Sequence, residues 1–370
     1  APEHRMTQRM IYHHPLPLNP EATSASGIRP CRMREAFQEI GYEVWEVTGY
    51  SKERRSKAGD VAHAMRAGVH FDFCYSESST MPMTMTNPNH LPTDPLLDSF
   101  FFRHLHRSGV PVGQFLRDIY WRFPQYRRSV RFPKREAALA AYTYDMWTLR
   151  HHVDHVFLPS VQMAEHVNLG KTPFSALPPA HAHAEPLPGP AEGISLFYVG
   201  GIGSHYSLHK LFEGVAHAHR QGVDVKLTVC VRPDDWDAVK HEYASYDCPA
   251  IQIVHGHGAQ LRPHFEAANI ASLFVEPMDY WQLAVPVKLY DYIGAGKPIL
   301  TSKGTLPAQL VAEQGLGWAI EYNSNSLLDF LVHLSRDPDG LARARETVLA
   351  HREVHSWRER ARQVAATLAD

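Results

Sequence analysis

Lys288 and Asp291 stand three residues apart in the run Pro286-Val-Lys288-Leu-Tyr-Asp291-Tyr-Ile-Gly-Ala-Gly296-Lys-Pro298-Ile-Leu-Thr301. On a helix that spacing brings a cation and a carboxylate onto one face. Pro286 suits a first helical turn, Gly294 and Gly296 can supply a left-handed stop, and Pro298 forbids continuation. A short helix backed by a strand is therefore predicted, with Leu289 and Ile293, four apart, as its buried stripe. Peptide dipoles already make a helix start positive, so a lysine there adds to like charge. Two positive sources aimed at one place suit an anion, and a diphosphate is the natural one. A surface Lys–Asp pair on an amphipathic helix accounts for the same spacing.

Other residues of the second half carry compatible chemistry. Phe197-Tyr-Val-Gly200-Gly201-Ile-Gly203 is an apolar run entering glycines, whose bare backbone lets N–H groups approach a phosphate; a strand-to-helix turn uses glycine for geometry alone just as readily. Arg232 ends the apolar run 225–231, where a second phosphate-balancing cation would sit, or an ordinary solvated arginine. In the first half, Asp118 closes Gln114-Phe-Leu-Arg117-Asp118 behind the strand predicted over 111–116. An acid on such a rigid platform can take the proton of an attacking hydroxyl; an Arg117–Asp118 pair or a helix cap would use the same residues. Glu77, in Tyr75-Ser-Glu77, is the second candidate at a strand end. Between Arg103 and Arg135, eight further positions hold Arg107, Arg117, Arg122, Arg127, Arg128, Arg131, Lys134 and one acid, Asp118, interleaved with aromatics. Basic residues among aromatics suit an anionic lipid surface or single-stranded nucleic acid, and a solvated basic face over a core is the plain alternative.

Positioning such groups requires parallel sheets. Strands are predicted at 9–13, 43–48, 71–75, 111–116 and 155–158, with helices over 28–40 and from 161. Residues 177–193, LPPAHAHAEPLPGPAEG, have linker composition. Strands resume at 194–199, 225–231, 251–254, 271–275, 298–301 and 318–320, with a helix near 208–221 and helix through the last thirty residues. Alternation of this kind implies two α/β domains with doubly wound parallel sheets, 1–185 and 186–345, followed by a terminal segment 346–370. Ligands of such sheets bind beyond the strands' carboxyl ends, so two sheets facing each other would form one cleft.

Lys-x-x-acid-Tyr followed by small-Gly-Lys-Pro and an apolar strand resembles the donor-nucleotide helix of GT-B fold glycosyltransferases, most nearly the bacterial enzymes of cell-surface polysaccharide and glycolipid synthesis. The template extends over nearly the whole chain. The resemblance implies two Rossmann-like domains and a terminal helix that crosses back onto the first. It implies a donor set of Gly200, Gly201, Arg232, Gly256, Val287, Lys288 and Asp291, with Gly27 of Ser24-Ala-Ser26-Gly27 approaching from the first domain; Ser24 or Ser26 also fits a helix N-cap there. Asp291 aligns with the acid that holds the ribose hydroxyls. The turn His255-Gly256-His257-Gly258 would hold the base through backbone groups, uridine or guanosine alike. Two departures stand out. The glycine loop, which usually carries Arg and Lys, reads Ile202, His205 and Lys210, and Leu283 occupies the place of the second acid of many retaining members, with Glu276 out of register as a stand-in. Inversion of configuration is thereby left open.

The implied reaction is transfer of a sugar, hexosyltransferase-like, from a UDP- or GDP-linked nucleotide sugar to a hydroxyl of a glycan or lipid-linked acceptor, without a metal or other cofactor. Because such acceptors are often lipid-linked, the basic–aromatic stretch is read toward an anionic membrane rather than nucleic acid. A net charge of −2 disfavours a global nucleic-acid binder. The four cysteines form no C-x-x-C pair and 1–5 lacks an apolar leader, which suits a reducing cytosol or attachment at the inner face of the membrane. The start at Ala1 reads as trimmed or engineered. A sugar-nucleotide epimerase on the same fold and a non-catalytic sugar-nucleotide or glycan-binding partner are the alternatives.

Overall fold

The structure is a computed structural model that describes residues 7–22 and 24–369; residues 1–5, read above for a leader, lie outside them. Two compact units divide it, Ala1–Pro178 with Trp357–Asp370, and Pro179–Ser356. The first unit reaches Pro178 because Leu177 N–H still donates to Leu158 O at 2.7 Å, whereas His181 already pairs with Arg352 O and His355 O.

The first unit contains β1 (Arg9–His14), α1 (Ala25–Glu39), β2 (Glu43–Thr48), α2 (Ser51–Arg66), β3 (Phe73–Glu77), α3 (Leu97–Arg107), β4 (Val112–Phe115), α4 (Pro124–Ser129), α5 (Lys134–His152), β5 (His155–Leu158) and β6 (Phe174–Ala176). All six strands are parallel in the order β2-β1-β3-β4-β5-β6. Winding therefore reverses between β1 and β3, the point where ligands of such sheets collect. Two expectations change. The third strand runs over Phe73–Glu77, so Glu77 is its last residue. The segment from Val161 is a 3₁₀ turn, Val161–His166. The short edge strand β6 and helices α2, α3, α4 and α5 were not anticipated. In α2 the buried face consists of Ala58, Val61, Ala64 and the charged Arg54, which leaves no large apolar stripe to read.

The second unit contains β7 (Ile194–Val199), α6 (His209–Arg220), β8 (Val225–Cys230), α7 (Pro233–Tyr243), β9 (Ile251–Val254), α8 (Arg262–Glu266), β10 (Ile270–Leu273), α9 (Val287–Gly294), β11 (Ile299–Ser302), α10 (Leu306–Gln314), β12 (Gly317–Ile320), α11 (Ser324–Ser335) and α12 (Pro338–His351). Its parallel order is β12-β11-β10-β7-β8-β9, with the reversal between β7 and β10. Leu211, Phe212 and Val215 of α6 pack toward Leu327 and Leu331 of α11. Gly214 permits that approach, since a Cβ there would meet Leu327 at 2.7 Å.

The chain then returns to the first unit as α13 (Trp357–Leu368). Its buried residues Trp357, Ala361, Val364 and Leu368 recur at helical spacing and face α1 and the sheet. Leu368 lies so close to Gly113 of β4 that a Cβ there would meet it at 2.7 Å. Arg360 and Gln363 donate to the carbonyls of Pro178 and Ala176. The four cysteines are buried free thiols. No helix among the described residues is long and apolar enough to cross a membrane.

Candidate functional site

In the second unit the predicted donor residues collect on loops at the carboxyl ends of β7, β8 and β9 and on α9, which follows β10. Pro286 is the N-cap of α9 rather than a residue of its first turn, and it offers no side-chain cap; no acid occupies that turn. No side chain caps the amides at this end, although Leu289 N–H already donates to Pro286 O at 3.1 Å, and the dipole lacks a carboxylate. Val287 and Lys288 open the helix there. Tyr292, fully buried, pins α9 to the sheet: its hydroxyl accepts from Val199 N–H at 3.1 Å and donates to Ser272 O at 3.2 Å. Burial raises the Tyr292 phenol, so it remains a donor. Lys288 lies near the end of β8, close enough to Cys230 that its charge pulls the thiol down against the upward push of burial.

Lys288 Nζ and Asp291 Oδ2 are 3.8 Å apart, with 36% and 31% of their side chains exposed. So loose and open a pair contributes little to stability, and both groups keep surface for a ligand. Gly294 is the last residue of α9 and is not left-handed; without a Cβ it accommodates His181, whose ring would otherwise be met at 2.4 Å. The left-handed residue is Gly296, φ 75°. Lys297 is buried and donates to Pro188 O and Ala268 O at 2.8 and 2.7 Å. It therefore ties the linker to the unit, and burial lowers its pKa to about 8.

The glycine loop is shaped by tyrosines. A Cβ on Gly201 would strike the Tyr206 ring at 2.7 Å, and Gly201 O accepts from Tyr198 OH at 2.6 Å. Gly200 N–H is engaged by Cys230 O at 3.2 Å. Ile202 is buried, so the loop presents neither a cation at that position nor the Gly200 amide. Arg232 N-caps α7 with its guanidinium exposed and, among the described residues, in no ion pair. Gly256 O accepts from the Cys230 thiol at 3.5 Å, which places that turn beside the same strand end. Glu276 is exposed beyond β10, and Leu283 closes the 3₁₀ turn Asp279–Gln282, whose one acid, Asp279, lies four positions earlier.

In the first unit, α1 begins at Ala25, so Gly27 is helical and not part of a flexible turn; its missing Cβ admits Ala22 at what would be 2.5 Å. Ser24 occupies the N-cap position but its hydroxyl bonds Ser26 instead of the backbone. Glu77 is fully buried. Its carboxylate faces Arg29 Nε at 3.3 Å and accepts from Tyr75 OH at 2.9 Å, with burial raising its pKa and Arg29 and Arg117 opposing. The Arg29 guanidinium lies 3.6 Å over the Phe115 ring. This geometry makes Glu77 a structural ion-pair member. Asp118 stands beyond β4, half-exposed, with a long 3.4 Å contact from Tyr120 N–H; burial raises its pKa.

His13 and His14, which end β1 at the reversal point, escaped the sequence reading. His13 bridges Ser76 Oγ at 2.8 Å and Asp98 Oδ1 at 2.7 Å, and Asp98 is clamped by Arg54 Nε and Nη2 at 3.0 and 2.9 Å. That network is internal. In His14, Nδ1 contacts Glu77 O at 2.7 Å. A carbonyl only accepts, so the proton resides on Nδ1 and Nε2 retains its lone pair. Burial lowers the His14 pKa to about 4. Two histidines closing an apolar strand were the available signal. Among the described residues no group of three or more His, Cys, Asp and Glu side chains is placed to hold a metal ion.

No family model and no curated protein matches this sequence. Solved structures do. HepE of Anabaena in complex with UDP is 10% identical, with a TM-score of 0.64 over 98% of this chain and 100% of that one. Sucrose-phosphate synthase of Thermosynechococcus elongatus is 13% identical, with a TM-score of 0.58 over 97% and 98%. WaaG, a glycosyltransferase involved in lipopolysaccharide biosynthesis, is 14% identical, with a TM-score of 0.56 over 97% and 99%. At such identities the likeness is one of fold, and the fold is GT-B.

Proposed function

We propose that this chain transfers a sugar from a nucleoside diphosphate sugar to a hydroxyl of a glycan or lipid-linked acceptor, without a metal. The observation that carries the reading is the start of α9: uncapped, free of acids, bearing Lys288, and bolted by Tyr292 to the strand ends where a doubly wound sheet takes its ligand. Lys288 and Arg232 would balance the diphosphate as the glycosidic bond breaks, an electrostatic contribution typically of a few kcal/mol. Asp291 would accept the ribose hydroxyls. That HepE was solved with UDP and with UDP-glucose supports a uridine donor.

In the inverting route, the acceptor oxygen bonds to the anomeric carbon, the carbon–oxygen bond to the diphosphate breaks, and Asp118 receives the acceptor's proton. A pKa raised by burial suits a carboxylate to that task. His14 Nε2, left with its lone pair by the Nδ1 contact to Glu77 O, is a second acceptor for a hydroxyl.

Thermal shifts with UDP, GDP and their sugars test the donor reading. The wild type should be stabilised selectively by one nucleotide, and Lys288→Ala should lose about ten- to hundred-fold in affinity for it, as expected for a charge-assisted contact. Unchanged affinity would refute the α9 assignment. Asp118→Asn should abolish transfer and keep nucleotide binding. The engaged Gly200 amide and the buried Ile202 favour one competing reading, a sugar-nucleotide binder without catalysis. Donor hydrolysis or transfer by the purified chain would dispose of it.

A further inference from the structure

A cavity of the first unit lies between α3, α5 and the carboxyl end of β4, beside the 3₁₀ turn Met83–Met85. Its volume is about 10 Å³, the room that one water molecule or one small ion needs. Asp98, Ser99, Gln114, Tyr144, Asp145 and Thr148 bring oxygen to its wall. Ser99 Oγ and Tyr144 OH share one hydrogen bond at 2.5 Å. Gln114 and Thr148 are only 5% and 7% exposed, yet neither the amide nor the hydroxyl is hydrogen-bonded to any described residue. Gln114 shares with Val112 the face of β4 that builds the core under α3 and α5. Asp145 is short of a positive neighbour. It accepts the Met83 amide at 2.9 Å, and among the described residues the cation whose charge reaches it is Arg54, already clamped on Asp98. His13, which also holds Asp98, has its pKa lowered by burial and adds no charge near neutrality. Ionising Asp145 therefore leaves one negative charge uncompensated beside the cavity.

We propose that this cavity seats one small monovalent cation, sodium or potassium, between the Asp145 carboxylate and the oxygens of Gln114, Thr148 and the Ser99–Tyr144 pair. Hard cations take oxygen ligands, and one free carboxylate among neutral oxygens matches a single positive charge. A divalent ion would ask for more carboxylate than remains, because Asp98 is spent on Arg54 and His13. One water fits the volume as well, but it brings no charge. Asp145 would then keep its proton instead, with burial holding its pKa up at about 7. The ion and that proton are rivals for one place. Because Asp145 also holds the Met83 amide, a filled seat fixes the turn that follows β3 to α5. The seat is independent of the transfer reading: it uses none of the residues proposed for transfer and would persist in Lys288→Ala.

Thermal melting of the full chain in sodium, potassium and choline chloride at equal ionic strength tests the seat, choline being too large to enter. At about pH 8 the first unit should melt at least about 2 °C higher in sodium or potassium chloride than in choline chloride. At about pH 5 protonation of Asp145 should remove that difference. Asp145→Asn and Gln114→Leu should each melt alike in all three salts, whatever their own stability. In choline chloride, where nothing replaces the proton, Asp145→Asn should melt above the wild type at about pH 8. Equal melting of the wild type in the three salts would overturn the proposal and leave the cavity to a water molecule. So would an undiminished salt preference in Asp145→Asn, which would put the ion elsewhere.

Discussion

Asp145 shows how a single carboxyl can set the acid–base behaviour of the first unit. It accepts the Met83 amide at 2.9 Å, yet burial pushes its pKa up to about 7, and the nearby charge of Asp98 adds to the rise. Asp98 is the counter-case. Burial pushes it up too, but the Arg54 guanidinium and His13 more than offset that and hold it at about 2. An unfolded aspartate ionises near pH 4. From there to about pH 7 the folded state holds the extra proton on Asp145, so stability contributed by that group falls as pH rises. Asp145→Asn keeps an acceptor for Met83 and removes the titration. Its melting temperature should equal that of the wild type near pH 4 and exceed it by at least about 2 °C at pH 8. A variant that runs parallel to the wild type across this range would show that Asp145 titrates normally.

At the scale of elements, α9 is the helix on which the proposed nucleotide grip depends. Tyr292→Phe keeps the ring and deletes the hydroxyl that holds Val199 N–H and Ser272 O, leaving buried backbone groups without that partner. It should cost about 1–3 kcal/mol in denaturant unfolding and weaken nucleotide binding, although Tyr292 touches no ligand in the proposed reading. Gly294→Ala should destabilise by a similar ~1–3 kcal/mol through crowding of His181. Much of this helix was legible beforehand, because Leu289, Ile293, Gly296 and Pro298 speak through spacing and backbone geometry alone. So were β7 and β9, whose apolar runs coincide with the strands. What resisted were features decided by distant neighbours. Gly294 reads as a helix stop until His181 is seen against it, and the bare sequence gives Glu77 an open strand end that Arg29, forty-eight positions earlier (77 − 29), in fact closes. β6 carries no buried face, α2 spends its inward positions on alanine and an arginine, and His14 takes its tautomer from a carbonyl on another strand.

For the whole molecule, the decisive feature is that each unit has its own apolar core while the first unit depends on the last segment of the chain to complete its own. α13 supplies Val364 and Leu368, both buried, against α1 and β4. Truncating either to alanine removes apolar contact and leaves a cavity, and Leu368→Ala should cost about 2–5 kcal/mol. The loss belongs to the first unit. The proposed nucleotide site belongs wholly to the second, so saturating UDP or GDP should raise only the second unit's stability. Differential scanning calorimetry of the wild type should accordingly resolve two transitions, one raised by nucleotide and the other lowered by Leu368→Ala. Lys288→Ala should cancel the first response and leave the second intact. If nucleotide and Leu368→Ala instead moved one common transition, the two cores would unfold as a single cooperative body, and the terminal helix would be coupling them rather than merely finishing the first.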